Sequence, residues 1–93
     1  MHLPVKYRDI PPKEKRLVRE EYARLQGGNC YYCKNPLDAD PAHKVKQKRV
    51  NKRLFPKGFF ENPQHLHHSH KSGLTLGVVH AHCNAVLWQY HGE

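Results

Sequence analysis

Two short pairs of soft ligands constrain this chain more than anything else in it: Cys30-Tyr31-Tyr32-Cys33 and, far downstream, His80-Ala81-His82-Cys83. Each pair has the two-residue gap of a zinc knuckle, so together they offer four ligands to one tetrahedral Zn²⁺. A chain of 93 residues buries only a thin core, and chains of that size commonly lean on a metal or on disulfides. Three cysteines cannot all pair within one chain, and the spacing suits a metal better than a disulfide framework. His80 is preferred to His82 as fourth ligand because it repeats the gap, whereas His82 adjoins Cys83. With all four positions filled by Cys30, Cys33, His80 and Cys83, the site is structural and its binding energy is folding energy.

Sixteen Lys and Arg against eight Asp and Glu leave a net charge of +8. Such an excess attracts polyanions, nucleic acid foremost. Residues 1–15 carry prolines and charges rather than an apolar run, and no stretch is apolar enough to span a bilayer. A soluble, cytoplasmic protein with no membrane partner is the expectation.

The chain reads as one α+β domain. Residues 1–11 look like a loose arm. Over 12–26 a helix is predicted, with Leu17, Val18, Tyr22 and Leu25 as its apolar stripe, and Gly27-Gly28 supply the left-handed turn that ends it. Residues 34–63 form a basic insertion in which Lys44, Lys46, Lys48, Arg49, Lys52, Arg53 and Lys57 crowd together, with Leu54, Phe55, Phe59 and Phe60 between and after them. These cations are candidates for DNA phosphate contact; otherwise the segment is solvated and its phenylalanines cover the small core. A strand over 64–69, a turn at Lys71-Ser72-Gly73, a second strand over 74–79 and a helix over 81–90 complete a strand–strand–helix unit over 64–90. Ala85, Val86, Leu87 and Trp88 are that helix's packing residues.

The histidines are concentrated where the strands meet. Leu25-Gln26-Gly27-Gly28-Asn29-Cys30-x-x-Cys33, His67-His68-Ser69-His70-Lys71-Ser72-Gly73 and Gly77-Val78-Val79-His80-x-x-Cys83-Asn84 resemble the HNH (ββα-metal) nucleases over residues 25–88. The nearest likeness is to the recombination endonuclease VII branch found in bacteriophages, which for a phage-encoded chain implies the host cytoplasm. The resemblance implies a treble-clef-like fold: a hairpin and helix clasping a catalytic metal, stapled by the zinc knuckle at 30–33 and 80–83. It places His67 and Asn84 on the catalytic cation and His68 at the general base, with His80 where a third zinc cysteine is usual. His67-His68-Ser69-His70 replaces a common Asp-His-Asp-His, Leu76 replaces a frequent Arg, and Thr75 stands near the asparagine that many of these enzymes carry on the second strand.

The implied activity is hydrolysis of DNA phosphodiester bonds, by nicking or double-strand cleavage. A neutral imidazole can take a proton from water near neutral pH. With a histidine and an amide as ligands, Mn²⁺, Ni²⁺ or Co²⁺ is expected to serve better than Mg²⁺, which favours hard oxygen donors. His67 and His68 are consecutive, so a regular strand would aim them to opposite faces; convergence requires a strand end or a bulge. Thr75 or a main-chain carbonyl is a candidate to fix the His68 tautomer. His65, His70, His82 and His91 carry no assigned role, His70 being the closest substitute for the base. The competing readings are a non-catalytic zinc-knuckle DNA-binding module and a structural zinc protein. Monomer and homodimer are both compatible with the sequence.

Overall fold

The computed structural model describes residues 2–92, so Met1 and Glu93 lie outside the description. It is a small α+β domain: helix α1 (Pro12–Leu25), a short helix α2 (His43–Lys46), strands β1 (Gln64–His68) and β2 (Thr75–His80), and helix α3 (Ala81–His91). The strands form one antiparallel pair. The element bounds fall within about one residue of those read from the sequence. Among the described residues no helix is long and apolar enough to cross a membrane.

Pro12 opens α1, where its missing N–H costs nothing. Gly27 and Gly28 close it at φ 67° and 80°, the left-handed conformation that other residues adopt at a cost. Only part of the expected stripe is buried. Val18 and Tyr22 enter the core, while Leu17 and Leu25 stay exposed because no layer covers their side of the helix. Val18 and Tyr22 meet Leu66, Val78, Val79, Val86 and Leu87 in a core to which Leu37 and Val45 of the insertion also belong. Trp88, expected to pack inward, is instead 41% exposed.

The N-terminal arm is not loose. Thr75 N–H donates to the Val5 carbonyl (2.8 Å), Tyr7 N–H to the Gly73 carbonyl (2.9 Å), and Lys6 bridges Leu74. The Val5 N–H donates to the Thr75 hydroxyl (3.0 Å), which also lies 2.7 Å from the Tyr22 hydroxyl. The physical reason is the free edge of β2, whose unpaired backbone groups require partners. Further along that edge the Gln26 amide imitates a strand: its Oε1 accepts from Val78 N–H (2.8 Å) and its Nε2 donates to the Val78 carbonyl (2.9 Å).

Gly77 makes that approach possible. A Cβ there would stand 2.6 Å from Gln26 Oε1 and 2.9 Å from the Tyr31 ring. Gly77→Ala is therefore expected to lose about 1–3 kcal/mol of stability, the ordinary cost of overpacking, read as a lower denaturant midpoint. An unchanged midpoint would show that the Gln26 amide is not seated against β2.

Candidate metal centre and adjoining histidine cleft

Cys30 and Cys33 sit in a tight turn held by Cys30 N–H to the Asn35 carbonyl (2.8 Å) and Lys34 N–H to the Cys30 carbonyl (3.0 Å), with Lys34 in a left-handed conformation. Tyr31 N–H donates to the Val78 carbonyl (2.9 Å) and docks this turn on β2. His80 precedes α3 and Cys83 lies in its first turn, so the strand-to-helix junction presents both toward the turn. The ligand atoms of Cys30, Cys33, His80 and Cys83 all lie within 4.8 Å of one another, close enough to hold one metal ion.

The donors fit zinc. His80 Nδ1 is 3.4 Å from Cys33 Sγ and 3.5 Å from Cys83 Sγ, against about 3.6 Å for an N···S edge of a tetrahedral zinc site. His80 Nε2 lies 2.9 Å from the Pro36 carbonyl. Donating its proton there fixes the tautomer that leaves Nδ1 free to ligate. Ala42 N–H points at Cys33 Sγ (3.5 Å) and supports a thiolate. A hydrogen bond from the Cys83 thiol draws Cys30 down to about 4 and pushes Cys83 upward; a cation removes the second shift, since a coordinating thiol is deprotonated outright. His82 is turned away, with Nε2 2.9 Å from the Val45 carbonyl. The choice of His80 over His82 agrees with this geometry.

Beside this centre lies an open cleft of about 550 Å³. His65, His67 and His68 of β1, Asn84 of α3, and Lys15 and Arg19 of α1 all line it. The ladder pairs His67 with Gly77 and His68 with Thr75, leaving Leu76 as an extra residue opposite that step. The irregularity falls at the His67–His68 step, where β1 also ends, and both histidines border one cleft.

Buried His67 places Nδ1 3.3 Å from Asn84 Oδ1. Asn84 Nδ2 lies 3.1 Å from His65 Nδ1. Burial, chiefly, lowers the pKa of His65 and keeps it neutral, so its Nδ1 can accept from the amide. That bond orients Asn84 with its oxygen toward His67. His68 is half-buried and stacks on Tyr7, ring centres 4.1 Å apart and planes within 11°. Burial first, then the neighbouring His70, His67 and Lys15, lowers its pKa. Thr75 does not hold the His68 tautomer, because its hydroxyl is committed to Val5 and Tyr22.

The cations of the basic insertion stand apart from the cleft. None of Lys44, Lys46, Lys48, Arg49, Lys52, Arg53 or Lys57 lines the cleft. Lys46 is paired with Asp40 (2.8 Å), and Lys48 and Lys52 lie over the rings of Tyr90 and Phe60. Leu54, Phe55 and Phe59 supply one of the cleft's walls instead. Sequence reasoning missed His65, Tyr7, Lys15 and Arg19. His65 shares a strand face with His67 by the two-residue period, and Lys15 and Arg19 share a helix face four apart, so those three left a signal. Tyr7 left none. No protein-family profile, no curated protein and no solved structure matches the chain.

Proposed function

We propose that the chain is a metal-dependent DNA endonuclease of the HNH (ββα-metal) type, similar to the recombination endonuclease VII branch, with the histidine cleft as its active site. The observation that carries the proposal is the meeting of His67 Nδ1 and Asn84 Oδ1 at 3.3 Å beside half-buried His68, at a strand–helix junction braced by the Cys₃His cluster. The two donors, an imidazole nitrogen and an amide oxygen, are adjacent, which suits an imidazole-tolerant divalent ion. When bound, such an ion would supply positive charge to offset the negative charge that develops on the phosphoryl and leaving oxygens.

The protein's own groups divide the remaining work. His68, kept neutral by burial and neighbouring positive charge, takes a proton from the attacking water at a ring nitrogen. Tyr7 fixes the plane of that ring by stacking on it. His65 holds the Asn84 amide in register. Lys15 and Arg19 offer cations to phosphate oxygens along the cleft wall. One cleft per chain cuts one strand at a time, so double-strand cleavage in a single event would suggest a dimer.

Nicking of supercoiled plasmid by zinc-loaded protein tests the reading. Activity is expected with added Mn²⁺, Ni²⁺ or Co²⁺ and to a lesser degree with Mg²⁺, and His67→Asp is expected to shift preference toward Mg²⁺. Absence of nicking with every ion would leave a zinc-knuckle DNA-binding module in its place. Neutralising Lys15 and Arg19 together is expected to weaken binding to all sequences alike. It should also flatten the slope of log affinity against log salt by about 0.9 for each phosphate no longer neutralised. The same experiment on Lys48, Arg49, Lys52 and Arg53 tests the outer cations. An unchanged slope in either case removes that group from the phosphate-binding surface.

A further inference from the structure

The wall of the cleft built by the insertion is aromatic rather than cationic. Phe55 and Trp88 meet edge to face at 5.4 Å, Phe55 and Phe59 at 4.7 Å, and Phe59 meets His65 at 4.5 Å. The cluster therefore reaches from the protein surface to the residue that holds Asn84. It is incompletely covered: Trp88 is 41% and Leu54 50% exposed, and both face the cleft. Lys15 and Arg19 line the same cleft.

A cationic group and an aromatic group lining one cleft match the two halves of one nucleotide. The phosphate is bound by cations and the base face by an aromatic surface, the combination by which proteins hold single-stranded nucleic acid. An intact duplex hides its base faces in the stack and can offer this wall only edges and backbone. Lys52, over the Phe60 ring at 5.6 Å, keeps the outer rim of the aromatic wall positive, as an approaching polyanion requires. An uncharged protein partner would find the apolar wall but leave the cations unmatched.

We infer that the aromatic wall of Phe55, Phe59 and Trp88 binds an unpaired nucleobase beside the phosphate in the histidine cleft. The inference rests on the nuclease reading for the identity of the ligand as DNA, but its test requires no cleavage. Trp88 is the only tryptophan in the chain, so its fluorescence reports on this wall alone.

Zinc-loaded protein without other divalent ions is titrated with a twenty-nucleotide oligothymidine, with the same length bearing abasic sites throughout, and with a blunt-ended, fully paired duplex of that length. Oligothymidine is expected to quench Trp88 and to bind about tenfold tighter than the abasic strand, the effect of removing one base stack. The blunt duplex is expected to leave Trp88 fluorescence unchanged. Trp88→Leu, at an exposed position, is expected to remove most of the difference between oligothymidine and the abasic strand when binding is followed by anisotropy of labelled DNA. Equal binding of the thymidine and abasic strands with unaltered Trp88 emission overturns the inference, even where plasmid nicking proceeds. Quenching by oligothymidine without any nicking retains the aromatic site and removes the nuclease.

Discussion

Cys33→Ser or Cys83→Ser yields a chain that does not fold. The expectation follows from the size of the core against the size of the metal term. The buried apolar residues come from α1, the insertion, both strands and α3, and most are small: Val18, Val45, Val78, Val79, Ala85 and Val86 stand among them. A domain of this length has a total stability of about 5–15 kcal/mol at best, while structural zinc contributes about 10–16 kcal/mol of apparent binding energy in small sites. Removing the ion therefore removes as much as the whole margin. Its geometry makes the loss global, because the centre ties the Cys30–Cys33 turn to the β2–α3 junction and, through Pro36 and Ala42, to the start of the insertion. Metal analysis of the dialysed native protein should find about one zinc per chain. Circular dichroism of the serine variants, and of native protein after strong chelation, should show loss of the cooperative thermal transition. A folded, metal-free Cys33→Ser protein would remove zinc from the structural account.

What the sequence made legible was mostly local. The spacing of Cys30/Cys33 and His80/Cys83 is a short-range pattern with one dominant chemical solution, and the ligand atoms do converge. The strand–turn–strand–helix order of 64–91 was legible because periodicity and glycine placement act over a few residues. Long-range pairings were not. The arm at residues 2–10 was misjudged because its partners on β2 lie about seventy positions away (Val5 to Thr75), and nothing in its composition announces an unpaired strand edge. Leu17 and Leu25 satisfied helical periodicity yet remain exposed, since periodicity names a face and not the layer that covers it. Trp88 satisfied it too, and faces the cleft instead. Convergence of His67 and His68 called for a strand end or a bulge, and β1 ends at His68 while the extra residue on β2, Leu76, became visible only in the ladder.

His68→Ala is expected to lower the cleavage rate about 10²–10⁴-fold, the usual contribution of a general base, while zinc content, thermal transition and DNA affinity stay near native. The separation is possible because His68 is held by ring contacts rather than by the core: Tyr7 stacks on it and His70 lies 5.0 Å away. Its loss leaves the Thr75 hydroxyl bonds and the zinc ligands untouched. The direction of its pKa adds a second signature. Burial and the neighbouring His70, His67 and Lys15 disfavour the imidazolium, so the proposed base stays neutral to a lower pH than a free histidine would. The acid limb of native activity should therefore lie below that set by a free histidine. Tyr7→Phe preserves the stack and should keep most of the rate; Tyr7→Ala frees the ring and should lower turnover with little change in DNA affinity. His70 supplies the decisive control. Single-turnover nicking by His68→Ala and His70→Ala, at saturating DNA and equal zinc content, identifies the base by which variant is inactive. An active His68→Ala beside an inactive His70→Ala would move the base to the exposed ring and leave His68 as the spacer between it and Tyr7.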